Sequence, residues 1–408
     1  MQVAFDALPL IGQRMTGIGY CEAGQIQALA DCYPDSAFYL QYFAIRREAE
    51  KLERLAPYLR SNMRPSRGRC SGYLYRLVSN FLPLPYRWFF GKQAQVTHFF
   101  NYIVPPFVAG ATVVTVHDMV YKTFPETVRG RTRYMLETGL KRSLRRADLI
   151  VTDSEFSKQE ILRYFPQTAD KIRVVYCGVD SERFHPASPE EIAAVKQQFG
   201  LKDPYFLYLG TLEPRKNLVR LLDAYQIFLQ GKQHAPKLVL AGGKGWLNDE
   251  LFEKLRKQNL EQQVLLTEYV PREAICPLMC GALAFAFPSI YEGFGMPPLE
   301  AMACGVPVLT THAASLPEVV GDCAVVVDPY DAKSMADGLE RLYQDADLRE
   351  RLRQEGPQRA KQFSWEQSAH ALYQVYEEAM QKRAARKKRS GTVGHQHNWN
   401  PIGSSIMF

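Results

Sequence analysis

Apolar residues in this chain gather into short runs of strand length, separated by stretches of helical period. Such runs fall at 95–104, 111–116, 148–152, 172–176, 205–209, 237–241, 263–267, 282–287, 306–310 and 324–327, and the first residues read as a buried opening strand. Several, such as Ala111-Thr-Val-Val-Thr-Val116 and Tyr205-Phe-Leu-Tyr-Leu209, lack strict alternation, as strands covered on both faces do. Helical stretches lie between them, at 131–146, 155–164, 217–230, 249–259, 298–304 and 332–344. Repeated strand–helix units predict parallel sheets sheathed by helices, an α/β fold. Ten or more strands exceed one ordinary sheet, so two doubly wound domains are expected. The boundary is placed in Cys177–Pro189, where a glycine, two prolines and polar residues follow a strand. Beyond about Arg389 periodicity ends, which predicts a mobile tail.

Composition narrows the class. The 408 residues are 46% hydrophobic and 23% charged, ordinary for a globular protein. No run is long and apolar enough for a membrane-spanning helix. The opening segment lacks a basic region and meets Asp6 early, so it is not expected to be a signal peptide. The eight cysteines form no Cys-x-x-Cys pair. Cys276 and Cys280, four apart, share a helix face, but no further Cys or His stands near them in sequence, so free thiols and no metal are expected.

Net charge is +7, unevenly spread. Residues 1–185 hold 25 Lys/Arg against 17 Asp/Glu, and the run Lys382-Arg-Ala-Ala-Arg-Lys-Lys-Arg389 adds six cations. One cluster runs from Arg46 to Arg76 and mixes Arg with Leu and Tyr. A second runs from Arg129 to Arg146. Cations beside apolar side chains suit an anionic membrane surface; phosphate-rich nucleic acid attracts the same charges, and a solvated helix face carries them too.

Chemistry concentrates in Phe287-Pro-Ser-Ile-Tyr-Glu-Gly-Phe-Gly-Met-Pro-Pro-Leu-Glu-Ala-Met-Ala-Cys-Gly-Val-Pro307, a strand, a glycine loop and a helix. Gly293 and Gly295 permit close backbone approach to a ligand. Pro297 and Pro298 suit a helix's first turn. The amides of Phe294, Gly295, Met296 and Leu299 are placed to face an anion. Glu292 and Glu300, separated by seven residues, suit the hydroxyls of ribose and sugar, although a helix N-terminus favours acids in any case. In Leu207-Tyr-Leu-Gly-Thr-Leu-Glu-Pro-Arg-Lys-Asn-Leu218, Arg215 and Lys216 follow a strand's carboxyl end, where open α/β sheets bind ligands. His117-Asp118 ends another strand without the Gly-x-Ser-x-Gly of a hydrolase. Thr16-Gly-Ile-Gly-Tyr20 follows the first strand but fails the dinucleotide fingerprint at Glu22. Asp345-Ala-Asp347 lies between helical stretches, far from these segments, and reads as a solvated turn.

As a set, these segments resemble the retaining GT-B glycosyltransferases of family 4, and within it bacterial mannosyltransferases of surface-polysaccharide assembly. Asp153-Ser-Glu-Phe-Ser157, Cys177-Gly-Val-Asp180 with Arg183-Phe184, Ser315-Leu-Pro-Glu318 and Phe363-Ser-Trp365 add to the resemblance, which covers about 1–380. It implies two Rossmann-like domains facing across a cleft: 1–184 for the acceptor and 185–365 for the nucleotide-sugar. A helix over 366–382 crosses back, and a basic tail spans 383–408. It implies that Glu300 holds the ribose and Glu292 the transferred sugar. Arg215 and Lys216 hold the diphosphate, Tyr269 flanks the base, Gly17 and Gly19 let the first loop reach the phosphates, and His117 touches a sugar hydroxyl or the leaving group. Catalysis is expected without a metal or other cofactor, with GDP-mannose as donor and a glycan or lipid-linked acceptor. No nucleic-acid partner is expected, and the site of action is the inner face of the cytoplasmic membrane. Two positions depart from the family pattern: Glu268 where a glycine usually precedes Tyr269, and Thr211 where an arginine usually follows Gly210. A nucleotide-sugar epimerase of the same fold and a non-catalytic polysaccharide- or membrane-binding module are the rival readings.

Overall fold

The computed structural model describes residues 1–393 apart from 13–14, 80–81, 203, 244, 246–248 and 269. Seven strands, β1 (Gln2–Asp6), β2 (Ala37–Phe43), β3 (Met63–Gly68), β4 (Val96–Phe99), β5 (Ala111–Thr115), β6 (Leu149–Thr152) and β7 (Ile172–Val174), form one sheet in the order β3-β2-β1-β4-β5-β6-β7. Six more, β8 (Tyr205–Leu209), β9 (Lys237–Ala241), β10 (Val264–Thr267), β11 (Ala284–Phe287), β12 (Val308–Thr311) and β13 (Val325–Val327), form a second in the order β10-β9-β8-β11-β12-β13. All of these strand pairings are parallel. Each sheet therefore reverses its winding once, at β1/β4 and at β8/β11, which opens a crevice at the strands' carboxyl ends.

The hydrophobic pattern misses β2 and β3. The edge strand β3, Met-Arg-Pro-Ser-Arg-Gly, has little apolar content and is held by its register with β2; an edge tolerates Pro65 because one side of its backbone goes unpaired. The aromatic run of β2, Ala-Phe-Tyr-Leu-Gln-Tyr-Phe, is a signal that the pattern reading overlooks. The expected run 95–104 narrows to Val96–Phe99, because the chain turns away after Phe100.

The second sheet and its helices enclose one core, and the two faces of the first sheet enclose two others. The last helix, Trp365–Val393, inserts Ala369, Leu372, Val375, Tyr376 and Ala379 into a core of the first sheet. It is pinned there by Tyr376 Oη on His98 Nδ1 at 2.9 Å and by the Arg173–Glu378 ion pair. It continues through Lys382–Lys388, so the basic run expected as tail begins as helix; 394–408 lie outside the described residues. Where the chain crosses between sheets, Val179 donates its amide to Phe363 O at 2.9 Å. Ser188 and Glu191 then close a capping box that starts the helix Pro189–Gln198.

Candidate active site

The loop after β11 and the loop after β8 meet at the second sheet's switch point. Glu292 lies between Arg215 and Lys216, at 2.7 Å from each, and accepts a further hydrogen bond from Ser289. Arg215 also pairs with Glu213 at 2.7 Å and donates to Tyr291 O at 2.6 Å. Burial alone would raise the Glu292 carboxyl, but the two cations and the Lys216 and Ser289 hydrogen bonds override it and hold it near 2. Burial and the adjacent Arg215 lower Lys216, against the pull of Glu292. The three groups expected at the sugar and diphosphate therefore form one buried ionic cluster. Asn217, with φ of 61°, ties this loop to its neighbours by donating to Pro288 O and Pro329 O at 3.1 and 2.7 Å.

The glycines of the loop serve two distinct contacts. A Cβ on Gly293 would come within 2.4 Å of His117 O, so the backbones of the two domains touch there. Gly295 has φ of 115° and begins the helix Met296–Ala303, whose first turn takes Pro297 and Pro298. Leu299 is fully buried, and its amide bonds Gly295 O at 3.4 Å, so it is not one of the donors left to face an anion. Phe294 packs its ring on Tyr176 and Phe363, and Met296 is half-buried against the core. Glu300, one turn on, is pushed up to about 8, chiefly by burial, with Arg183 opposing and Asp180 adding to the shift.

From the first sheet, His117 enters at the end of β5. Its Nδ1 meets Asp153 Oδ2 at 2.6 Å and its Nε2 meets Phe100 O at 2.7 Å. Burial would lower its pKa, but the Asp153 charge and hydrogen bond raise it to about 10. Both ring nitrogens are thus engaged by protein groups, so the contact with a sugar hydroxyl or leaving group that the resemblance implies would have to compete with Asp153 and the Phe100 carbonyl. Its backbone carbonyl faces the glycine loop instead. Asp118 lies close enough to Arg215 for that charge to offset part of its burial.

Gly17 and Gly19 are not loop residues: they occupy the first turn of the helix Gly17–Cys32, Gly17 exposed and Gly19 buried against Met15 and Pro9 O. Tyr269 lies outside the described residues; Glu268 and Thr211, the two departures from the family pattern, are exposed. Asp345 caps the helix Ala346–Ala360 by accepting from Leu348 N at 2.8 Å, in keeping with a solvated turn.

Several residues of the quoted segments have roles at the site that the sequence does not show. Tyr291 accepts from Met119 N at 3.0 Å across the cleft, between the rings of Phe124 and Phe156. Ser154 donates to Gly293 O at 2.6 Å, Ser157 donates to the same oxygen and to His117 O, and Ser315 donates to Glu292 O and Phe294 O. The glycines of Gly242-Gly-Lys-Gly245 are visible in the sequence; Leu212 N bonds Gly243 O at 3.1 Å and Gly245 N bonds Leu212 O at 3.0 Å, which shapes the loop that carries Arg215.

Residues 190–359 match the family described as glycosyl transferases group 1, and residues 42–183 match glycosyltransferase family 4. The chain is 41% identical over 266 residues to the O-antigen chain mannosyltransferase B of Escherichia coli, which spans 65% of this chain and 69% of that one. The protein is a family 4, group 1 glycosyltransferase. It is also 28% identical over 280 residues to the serotype-specific mannosyltransferase WbdA of Escherichia coli, across 66% of this chain but only 34% of that longer relative. The structure of HepE from Anabaena in complex with UDP and glucose superposes with a TM-score of 0.68 at 19% identity, covering 92% of this chain and 99% of that one. The fold is accordingly GT-B, two Rossmann-like domains built on parallel sheets, as the resemblance implied.

Proposed function

We propose that this glycosyltransferase moves mannose from GDP-mannose, with retention of configuration and without a metal ion, to a glycan or lipid-linked acceptor of surface-polysaccharide assembly. The likeness to the O-antigen chain mannosyltransferase supports the sugar and the pathway class. The observation that carries the chemistry is the cluster of Glu292 with Arg215 and Lys216 at the switch point.

An incoming diphosphate exchanges with Glu292 for part of the bonding capacity of Arg215 and Lys216. As the sugar departs, negative charge grows on the leaving oxygen, and these two cations stabilise it in a site with little water. They supply the positive charge that a metal would otherwise bring. Glu292, held near 2, stays ionised at any working pH. It therefore donates no proton; it accepts hydrogen bonds from sugar hydroxyls and favours positive charge at the anomeric carbon. A carboxylate engaged by two cations and a hydroxyl is a weak nucleophile, which favours departure and attack on the same face over a covalent intermediate on Glu292. Glu300 takes the ribose. His117, charged and fixed by Asp153, holds the loop that faces Gly293.

The test is nucleotide release from GDP-mannose, UDP-glucose and UDP-galactose with polysaccharide-derived acceptors, with and without a brief exposure to EDTA. Release from GDP-mannose, undiminished by the chelator, is expected. Replacing Arg215 and Lys216 with Ala together should lower turnover by roughly a hundredfold or more. Release from UDP-sugars only overturns the donor. Activity abolished by EDTA and restored by manganese overturns metal independence.

A further inference from the structure

The fold brings a third thiol to the pair that looks isolated in sequence. Cys276 and Cys280 lie on the helix Ile275–Cys280, and Cys304 follows the helix Met296–Ala303 that begins at the glycine loop. Cys276 Sγ is 4.0 Å from Cys280 Sγ and 3.7 Å from Cys304 Sγ, and the three sulfurs all lie within 4.8 Å of one another. Cys304, distant from the pair in sequence, thus joins it in space, where the sequence led no third ligand to be expected. Cys276 and Cys304 are buried and Cys280 is half-buried.

We propose that Cys276, Cys280 and Cys304 form a structural site for a thiophilic d¹⁰ cation, with Zn²⁺ as the ion. Zinc–sulfur bonds of about 2.3 Å in a tetrahedron set sulfur atoms about 3.8 Å apart, and the two separations from Cys276, 4.0 and 3.7 Å, lie on either side of that figure. Three sulfurs from two separate segments of chain thus stand close enough for one ion to reach all of them. The fourth position lies toward His185: its carbonyl oxygen accepts from Cys276 at 3.1 Å and from Cys280 at 3.4 Å, and its side chain is exposed at the start of the second domain. Binding replaces three S–H bonds by three Zn–S bonds and releases three protons to solvent, with no change in oxidation state. The ion would join the linker at His185, the helix Ile275–Cys280 and the carboxyl end of the helix that carries Glu300. It lies at the end of that helix opposite the glycine loop, so it braces the donor domain and takes no part in the transfer step.

The full chain, purified under reducing conditions without chelator, should hold about one zinc. Cys280→Ser and Cys304→Ser should each lose it, whereas Cys323→Ser should keep it. Cobalt added to the demetallated wild type should give the thiolate-to-cobalt charge-transfer and visible bands of a tetrahedral sulfur site, displaced by one equivalent of zinc. Cys21, Cys177 and Asp153 form a second group of possible ligands, so bands that persist in Cys21→Ser assign the cobalt to the three-cysteine site even if a Cys280 or Cys304 variant fails to fold, and bands lost in Cys21→Ser overturn it. No bands, unchanged thiol reactivity on adding zinc, or a disulfide among these three cysteines in the purified protein would overturn the proposal.

Discussion

Glu300 carries an acid–base consequence that its neighbour Glu292 does not. Burial lifts its carboxyl from an ordinary 4.5 to about 8. Between those values the folded protein keeps a proton that the unfolded chain has released, so stability is fully present below about 4.5 and is lost as pH rises toward 8. Glu300→Gln removes the titration while keeping the shape. Thermal melts from pH 5 to 8 should show wild type losing stability relative to this variant as pH rises; parallel curves would mean that the carboxyl titrates normally. At this scale the sequence is informative only in part. The spacing of Glu292 and Glu300 and the adjacency of Arg215 and Lys216 stand in the chain as written. The ion pairs that join them span two loops and are visible only once β8 and β11 lie side by side. His117 shows the limit most clearly: its chemistry is decided by Asp153 and the Phe100 carbonyl, which lie on other strands' ends.

The helix Glu155–Tyr164 is started from both domains. Ser154 caps it by accepting from Ser157 N at 3.0 Å, and Glu318 of the opposite domain accepts from Glu155 N and Phe156 N at 2.9 and 3.3 Å. Glu318 also accepts from Tyr176 Oη at 2.7 Å. A carboxylate at a helix N-terminus is favoured by the free amides and the helix dipole, so this contact works as a latch across the cleft. Glu318→Ala should cost about 1–2 kcal/mol in unfolding free energy, in the range of lost caps, and should raise the radius of gyration in solution scattering. An unchanged radius together with unchanged stability would show that the remaining cross-cleft contacts suffice. The segments Asp153-Ser-Glu-Phe-Ser157 and Ser315-Leu-Pro-Glu318 are thus readable as motifs, but their work is not, because each supplies one half of a bond. Strands buried on both faces are legible because apolar runs of that length have few other uses. The edge strand β3 is not legible, because its place is set by pairing with β2 rather than by burial.

For the whole molecule, the question is where the positive charge ends up. No helix among the described residues is long and apolar enough to cross a membrane. Within the Arg46–Arg76 cluster, the first candidate for a membrane contact, several arginines are tied to acids: Arg54 pairs with Glu50, Arg60 with Asp31, Arg67 with Glu48 and Arg76 with Asp6. The second cluster is joined by the last helix. Arg142, Arg145 and Arg146 share a cavity of about 450 Å³ with Arg386 and with Arg383, itself 3.7 Å from the Asp148 carboxylate, against Pro83 and the Pro105–Val108 segment. Phe107 is 57% exposed there. Tyr86 N bonds Pro106 O, which brings alongside a segment carrying Leu82 and Trp88, 59% and 70% exposed. Cations with exposed aromatic and aliphatic side chains nearby in the chain fit an anionic bilayer better than either feature alone. We propose this face for the membrane contact expected with a lipid-linked acceptor, with the Arg46–Arg76 cluster as the alternative that vesicle binding separates from it. The full chain should float with vesicles containing anionic lipid at 0.1 M salt and separate from them at 1 M, as the screening length falls from about 10 Å to about 3 Å. At about 1 kcal/mol per cation, Arg145→Gln with Arg386→Gln should weaken vesicle partitioning roughly thirtyfold, whereas Arg46→Gln with Arg47→Gln should change it far less. Equal flotation on neutral vesicles would remove charge from the account, and a larger loss at Arg46 and Arg47 would return the contact to the first cluster.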